Sequence, residues 1–190
     1  FLSNKAWRAE RNEEYKKSLE YIKSYNDSTI VELLKFLDPE VYPERRLAAQ
    51  SKIETFSHWE EDMIVVLTKK DLDKIYLHDD DTYYVYFFLE DKKLNHPEKF
   101  IQPIKYSLSV LSKRAEKDIT DPYSRDLWRL NLSTVCKVLN RQFKVHAREF
   151  RPEMLKLNEA LNSEAPERAS KLHRYRYKQI LRTYRIEVKN

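Results

Sequence analysis

The chain has no glycine in 190 residues, where ordinary usage would supply about thirteen. Glycine tolerates positive φ and lets a backbone approach a ligand closely. Phosphate loops, dinucleotide fingerprints, nucleophile elbows and EF-hand loops all depend on it, so none can occur here in its usual form. Tight two-residue hairpins also prefer glycine, which moves the expected fold from strands toward helices. Helices that would otherwise stop on a left-handed glycine can use asparagine, and Asn26, Asn95 and Asn162 stand where such ends are expected.

The longest regular pattern runs from Asp121 to Phe150. On a helix, Trp128, Leu132, Val135, Leu139, Phe143, His146 and Phe150 recur at steps of four and three and fall on one line. One position further on, Arg129, Ser133, Lys137, Arg141, Lys144 and Arg148 form a second line, turned by about a hundred degrees. Asp121 and Pro122 suit an N-cap and first helical position, and Pro152 is expected to end the helix because the residue before a proline is pushed out of helical geometry. The spacing predicts one long helix with an apolar edge beside a basic edge.

The rest of the chain repeats the helical period. From Asn4 to Asn26, Trp7, Arg11, Tyr15, Leu19, Ile22 and Tyr25 share a face. Thr29 with Glu32, Ser57 with Glu60, and Thr68 with Asp71 each have capping-box spacing. They predict several short helices, with a helix from near Pro43 burying Leu47, Ile53 and Phe56. Thr82–Leu89 is dense in β-branched and aromatic residues, but no second segment of that character could pair with it. It is therefore read as a buried helix capped by Asp81. Pro97 and Pro103 are expected to open successive helices, the second carrying Ile104, Leu108, Leu111 and Ala115. Pro152 is expected to start a short helix through Met154, Leu157 and Leu161. Pro166 starts the last one, in which Ala169, His173, Tyr177, Leu181, Tyr184 and Val188 lie beside a line of Lys and Arg.

These readings give an all-α fold, a single-domain helical bundle or irregular α-solenoid of about eight to ten helices. Charge divides it. Residues 1–120 hold 20 Lys and Arg against 23 Asp and Glu, and residues 121–190 hold 16 against 8. A mildly acidic helical body thus carries a basic unit of long helices, which suits contacts with an anionic partner. The longest apolar run, Tyr83–Leu89, is far shorter than a membrane span, so the chain is expected to be soluble or peripheral to a membrane. It opens on Phe1-Leu2-Ser3, without methionine, compatible with removal of an organelle-targeting presequence; a mitochondrial setting is the expected location.

Chemistry is sparse. His58-Trp59-Glu60-Glu61-Asp62 begins like an inverted zinc-protease motif, but Asp62 stands where the second histidine must be. His78 beside Asp79-Asp80-Asp81 reads as a solvated acidic cluster. His146 and His173 lie on apolar stripes and read as hydrogen-bonded core residues. Cys136, the single cysteine, reads as a half-buried inert thiol. No metal, cofactor or catalytic group is expected, the Glu60-Glu61-Asp62 acids being the one enzymatic option.

The expected function is therefore a non-enzymatic structural or accessory subunit of a large assembly, a mitochondrial membrane complex of respiratory or ATP-synthase type. It would act as a helical scaffold through contacts with other protein subunits, with Trp7 and Trp59 as interface anchors. Arg129, Lys137, Arg141, Lys144 and Arg148 would meet RNA, anionic lipid or an acidic neighbour. The alternative is an RNA-binding protein of a ribonucleoprotein such as the mitochondrial ribosome. It would use Arg174, Tyr175, Arg176, Lys178, Arg182 and Arg185, where cations alternate with rings that can stack on bases.

Overall fold

Every regular element among the described residues is helical, in a computed structural model that describes residues 2–38, 42–69, 81–118 and 134–162. In chain order these are α1 (Leu2–Ser24), α2 (Val31–Leu34) running into a 3-10 turn (Lys35–Leu37), α3 (Pro43–Ile53), α4 (Trp59–Leu67), α5 (Asp81–Asp91), α6 (Pro97–Asp118) and α7 (134–142). A second 3-10 turn (Lys144–His146) then leads into α8 (Ala147–Asn162). The all-α expectation holds, and Thr82–Leu89 is helical. Val85, Tyr86, Phe87, Phe88 and Leu89 are buried in succession, so this helix is enclosed on every side over its middle. Burial on all sides removes the one-faced periodicity that would have marked it as a helix.

The chain forms two compact units, Phe1–Met63 and Ile64–Asn190. In the first, α3 packs on α1, on α2 and on the first 3-10 turn. Ile22, Ile30, Leu33, Leu34, Leu37, Ala49, Ile53 and Met63 are essentially excluded from water. Leu47, expected in this core, is 60% exposed, while Gln50 and Ala49 are buried. The face of α3 that meets α1 is thus rotated from the one that hydrophobicity alone selects.

In the second unit α6 packs along α8. Phe100, Ile104 and Leu108 from one helix and Phe150, Met154 and Leu157 from the other are buried. The Tyr86 hydroxyl donates to Ser107 Oγ at 3.1 Å, satisfying a buried polar pair between α5 and α6.

Prolines behave differently from expectation at two places. Pro103 lies inside the single 22-residue helix α6, and Pro152 lies inside α8; neither opens or closes a helix. An interior proline loses one ladder hydrogen bond and costs about 3 kcal/mol. Each buried Phe or Leu contributes about 1.5–3 kcal/mol, so the stripe flanking Pro103 outweighs it.

The long helix expected from Asp121 to Phe150 is also interrupted. Residues 119–133 lie outside the described residues, Trp128, Arg129, Leu132 and Ser133 among them; α7 ends at 142 and α8 begins at Ala147. Phe143, at φ −122° and ψ 26°, takes the bend. Its ring sits 5.4 Å from Phe150 at an interplanar angle of 74°. Seven residues of continuous helix would rise roughly 10 Å, so this edge-to-face pair forms only because the chain turns between them. The apolar stripe survives the break: Val135, Leu139, Phe143 and Phe150 are all buried.

Without glycine, helix C-termini are closed by side chains. At the end of α1 the Lys52 Nζ donates to the Lys23 carbonyl at 3.3 Å, and Ser24 Oγ to Tyr21 at 3.2 Å. Thr55 Oγ1 donates to Lys52 at 2.7 Å behind α3. Thr68 closes α4 by donating to the Ile64 and Val65 carbonyls, and the helix that its spacing with Asp71 predicts lies outside the described residues. At the end of α5, Gln142 Nε2 donates to the carbonyls of Leu89 and Lys92, and Arg141 to that of Glu90. These bonds satisfy carbonyls that every helix end leaves open.

Candidate functional site

His58 and Asp62 are one helical turn apart, and the His58 Nδ1 lies 3.0 Å from Asp62 Oδ2. The same oxygen accepts the Ile30 backbone N–H at 3.0 Å. Ile30 is fully buried at the start of α2 and its own side chain offers no cap. One half of the Thr29–Glu32 capping box forms, Thr29 Oγ1 accepting the Val31 N–H at 3.4 Å; the Ile30 N–H goes to a carboxylate 32 residues away, and Glu32 pairs with Lys35 at 2.8 Å. Asp62 works here as a cap joining α2 to α4. Glu60, of the same acidic run, is buried and Glu61 is exposed. No group of three metal-capable side chains gathers among the described residues.

Asp62→Ala would leave the buried Ile30 N–H without an acceptor. The expected loss is about 2 kcal/mol, read as a lower urea midpoint at unchanged slope. Asp62→Asn keeps a neutral acceptor and is expected to lose about half as much. If both variants matched the parent, Asp62 would have no capping role.

The basic stripe separates into two parts. Lys137 Nζ lies 2.6 Å from Glu90 Oε1, and Arg141 is bound to the Glu90 carbonyl, so both hold α7 against the end of α5. Lys144 and Arg148 are exposed past the bend, together with Arg151. Arg174, Tyr175, Arg176, Lys178, Arg182 and Arg185, with His173, lie outside the described residues, as do His78 and Asp79-Asp80. His146 is hydrogen-bonded as expected, at 2.7 Å to Glu149 Oε1, but it stands at the surface of the bend and not in the core. Cys136 is 1% exposed, deeper than the half-burial expected. Trp59 is buried within the chain's own core at 8% exposure; the indole of Trp7 lies outside the described side chains.

A surface that the sequence patterns do not single out lies across α1, the first 3-10 turn and α3. Tyr15 stacks at 4.8 Å on Tyr42, and Arg11 covers Tyr42 at 5.6 Å. One turn further along α1, Arg45 bonds Ser18 Oγ at 3.5 Å and places its guanidinium 5.7 Å from the Phe36 ring. Phe36 meets Tyr21 at 5.9 Å, Tyr21 meets Tyr25 at 5.7 Å, and Lys35 lies over both Tyr21 and Phe36. Rings and cations thus alternate along one side of the unit, each fixing the next by edge contacts and cation–π attraction. Burial, with Glu44 beside it, raises the Tyr15 hydroxyl above its usual pKa of 10.0; burial, with Asp27 beside it, does the same for Tyr25. Both phenols are neutral at physiological pH. Tyr21 and Tyr42 remain 42% and 38% exposed. Tyr15 and Tyr25 were legible on the core face of the first helical stretch; the distant ring each one meets, Tyr42 for Tyr15 and Phe56 for Tyr25, comes from 27 and 31 residues away, which no local period records.

Among the described residues no helix is long and apolar enough to cross a membrane. Compared with known proteins, the chain matches no family model, no curated protein and no solved structure.

Proposed function

We propose that the chain is a non-enzymatic accessory subunit of a larger assembly, a helical scaffold that works through protein–protein contacts. The observation that carries this reading is the aromatic–cation ladder, with Tyr21 at 42% and Tyr42 at 38% exposure. Tyrosine and arginine dominate the energetics of protein interfaces, and a ring already held by its neighbours loses little further entropy on binding. Tyr42 is held by Tyr15 and Arg11, and Tyr21 by Phe36, Tyr25 and Lys35. Leu47, 60% exposed on α3, adds apolar area in the same unit.

The test is the size at which the tagged chain migrates in a native extract. A mitochondrial membrane complex, respiratory or of the ATP-synthase type, is the first assembly to look for. The parent chain is expected far above its own 23.1 kDa. Tyr21→Ala combined with Tyr42→Ala is expected to return it to the free position while the chain stays folded at the assay temperature, with a melting midpoint lowered by the lost ring contacts. A parent chain that migrates alone in every native fraction would overturn the proposal.

A further inference from the structure

The bend between α7 and α8 exposes an apolar residue among cations. Val145 is 88% exposed, the most exposed of the large hydrophobic residues on the described surface. At that exposure its side chain stands clear of the surrounding surface. Lys144 precedes it, and Arg148 and Arg151 follow at helical neighbour spacing on the first turns of α8, all exposed. None of these three cations takes part in an ion pair or hydrogen bond with a described residue, whereas Lys137 and Arg141 earlier in the same stripe are tied to Glu90. The nearest acid in sequence, Glu149, is engaged by His146 at 2.7 Å. The bend therefore offers a net positive surface with a protruding aliphatic tip.

We infer that this corner is a membrane-surface contact that takes the headgroups of anionic phospholipids. Two features must be explained together, the unpaired cations and the protruding valine. An RNA strand would neutralise the cations and leave Val145 in water, and besides the buried Phe150 the one ring between Lys144 and Arg151 is His146, which Glu149 holds at 2.7 Å. An acidic protein would need a pocket shaped to one small side chain. A bilayer interface needs no matching shape: phosphates meet the cations while the valine enters the acyl boundary below them. The long stems of Lys144, Arg148 and Arg151 let their charged heads stay at the phosphates as the tip goes deeper. The contact is peripheral and reversible, since one valine and three cations amount to a modest partition energy. It is independent of the aromatic ladder, which lies in the other unit.

The experiment is co-sedimentation of the full chain with vesicles of neutral phosphatidylcholine and with vesicles that also contain phosphatidylserine. The parent chain is expected to pellet with the second and not the first, and to be released by salt. Each basic residue near an anionic surface contributes about a fivefold factor. The combined Lys144→Gln, Arg148→Gln and Arg151→Gln variant is thus expected to bind about a hundredfold more weakly. Val145→Asp is expected to weaken binding about tenfold, the equivalent of removing one buried aliphatic side chain. All four positions are exposed, so unchanged melting curves will accompany both losses. The inference is overturned if the parent ignores anionic vesicles. It is equally overturned if the triple variant binds like the parent, which would place the lipid contact elsewhere on the basic C-terminal segment. Binding of a single-stranded RNA oligonucleotide that the triple variant loses and Val145→Asp does not, with no vesicle binding, would make the corner an RNA surface and also overturn it.

Discussion

Phe143→Ala is expected to remove about 3–5 kcal/mol from the stability of the second unit, the range for deleting a fully buried aromatic ring. Phe143 is 0% exposed and packs edge-on against Phe150 at 5.4 Å. Its backbone also makes the turn between α7 and α8, accepting from the His146 N–H at 2.9 Å while its own N–H donates to Leu139 at 3.1 Å. Loss of the ring leaves a cavity at the point where the two helices are held at their angle. The single thiol supplies a local readout, because Cys136 sits on α7 at 1% exposure and reacts only when that region opens. Labelling should accelerate by roughly a hundredfold to four-thousandfold. Phe150→Ala should act similarly, and the double variant should lose less than the sum by about 0.5–1.5 kcal/mol because the ring pair is removed once. An unchanged labelling rate in Phe143→Ala would mean that the ring does not hold the bend.

Gln142→Ala is expected to cost about 2–3 kcal/mol, more than an ordinary surface substitution, because one side chain serves three backbone groups. Its amide donates to the carbonyls of Leu89 and Lys92, and its Oε1 accepts the Leu94 N–H at 3.4 Å. A chain with glycine could end α5 on a left-handed residue and satisfy these carbonyls locally; this chain uses a residue about fifty positions away. Gln142→Glu is the sharper variant. The carboxylate keeps the volume and the acceptor but puts negative charge against two carbonyl oxygens, so it should be at least as damaging as alanine. Hydrogen exchange at Phe88–Leu94 is the measurement. Protection there that survives Gln142→Glu would show that water serves these carbonyls as well as the side chain does.

Val135, Leu139, Phe143 and Phe150 are buried as their spacing requires, yet the single helix drawn through them does not exist. Periodicity reports which side chains face a core, and a bend that keeps them facing it leaves the period nearly intact. Leu47 and Gln50 fail in the opposite sense, since the hydrophobic one is exposed and the polar one buried. The neighbours of α3 decide which of its faces is covered. The capping-box spacing of Thr29 marked a helix start correctly, Thr29 bonding the Val31 N–H while Asp62 supplies a second bond from a distant segment; Thr68 ends α4, and the helix that its spacing predicts lies outside the described residues. For the candidate site, the line through Lys137, Arg141, Lys144 and Arg148 was legible in the spacing, whereas Arg151 was not on it and Arg129 and the C-terminal cations lie outside the described residues. That Lys137 and Arg141 are engaged while Lys144, Arg148 and Arg151 are unpaired depends on where Glu90 arrives.

By itself the sequence determined the helical class, because the absence of glycine removes the turns and loops that other folds need, and the 3.6-residue period selects most of the core. The division of charge was likewise readable from composition. Only the tertiary structure decided where the long apolar stripe bends and which cations are already paired. It also decided that rings from α1 and the first 3-10 turn, with Tyr42 just ahead of α3, converge into one ladder, with Tyr21 and Tyr42 left open. The physical reason is the same in each case. A local pattern fixes which way a side chain points along its own element, whereas its partners come from segments that the chain brings together only by packing.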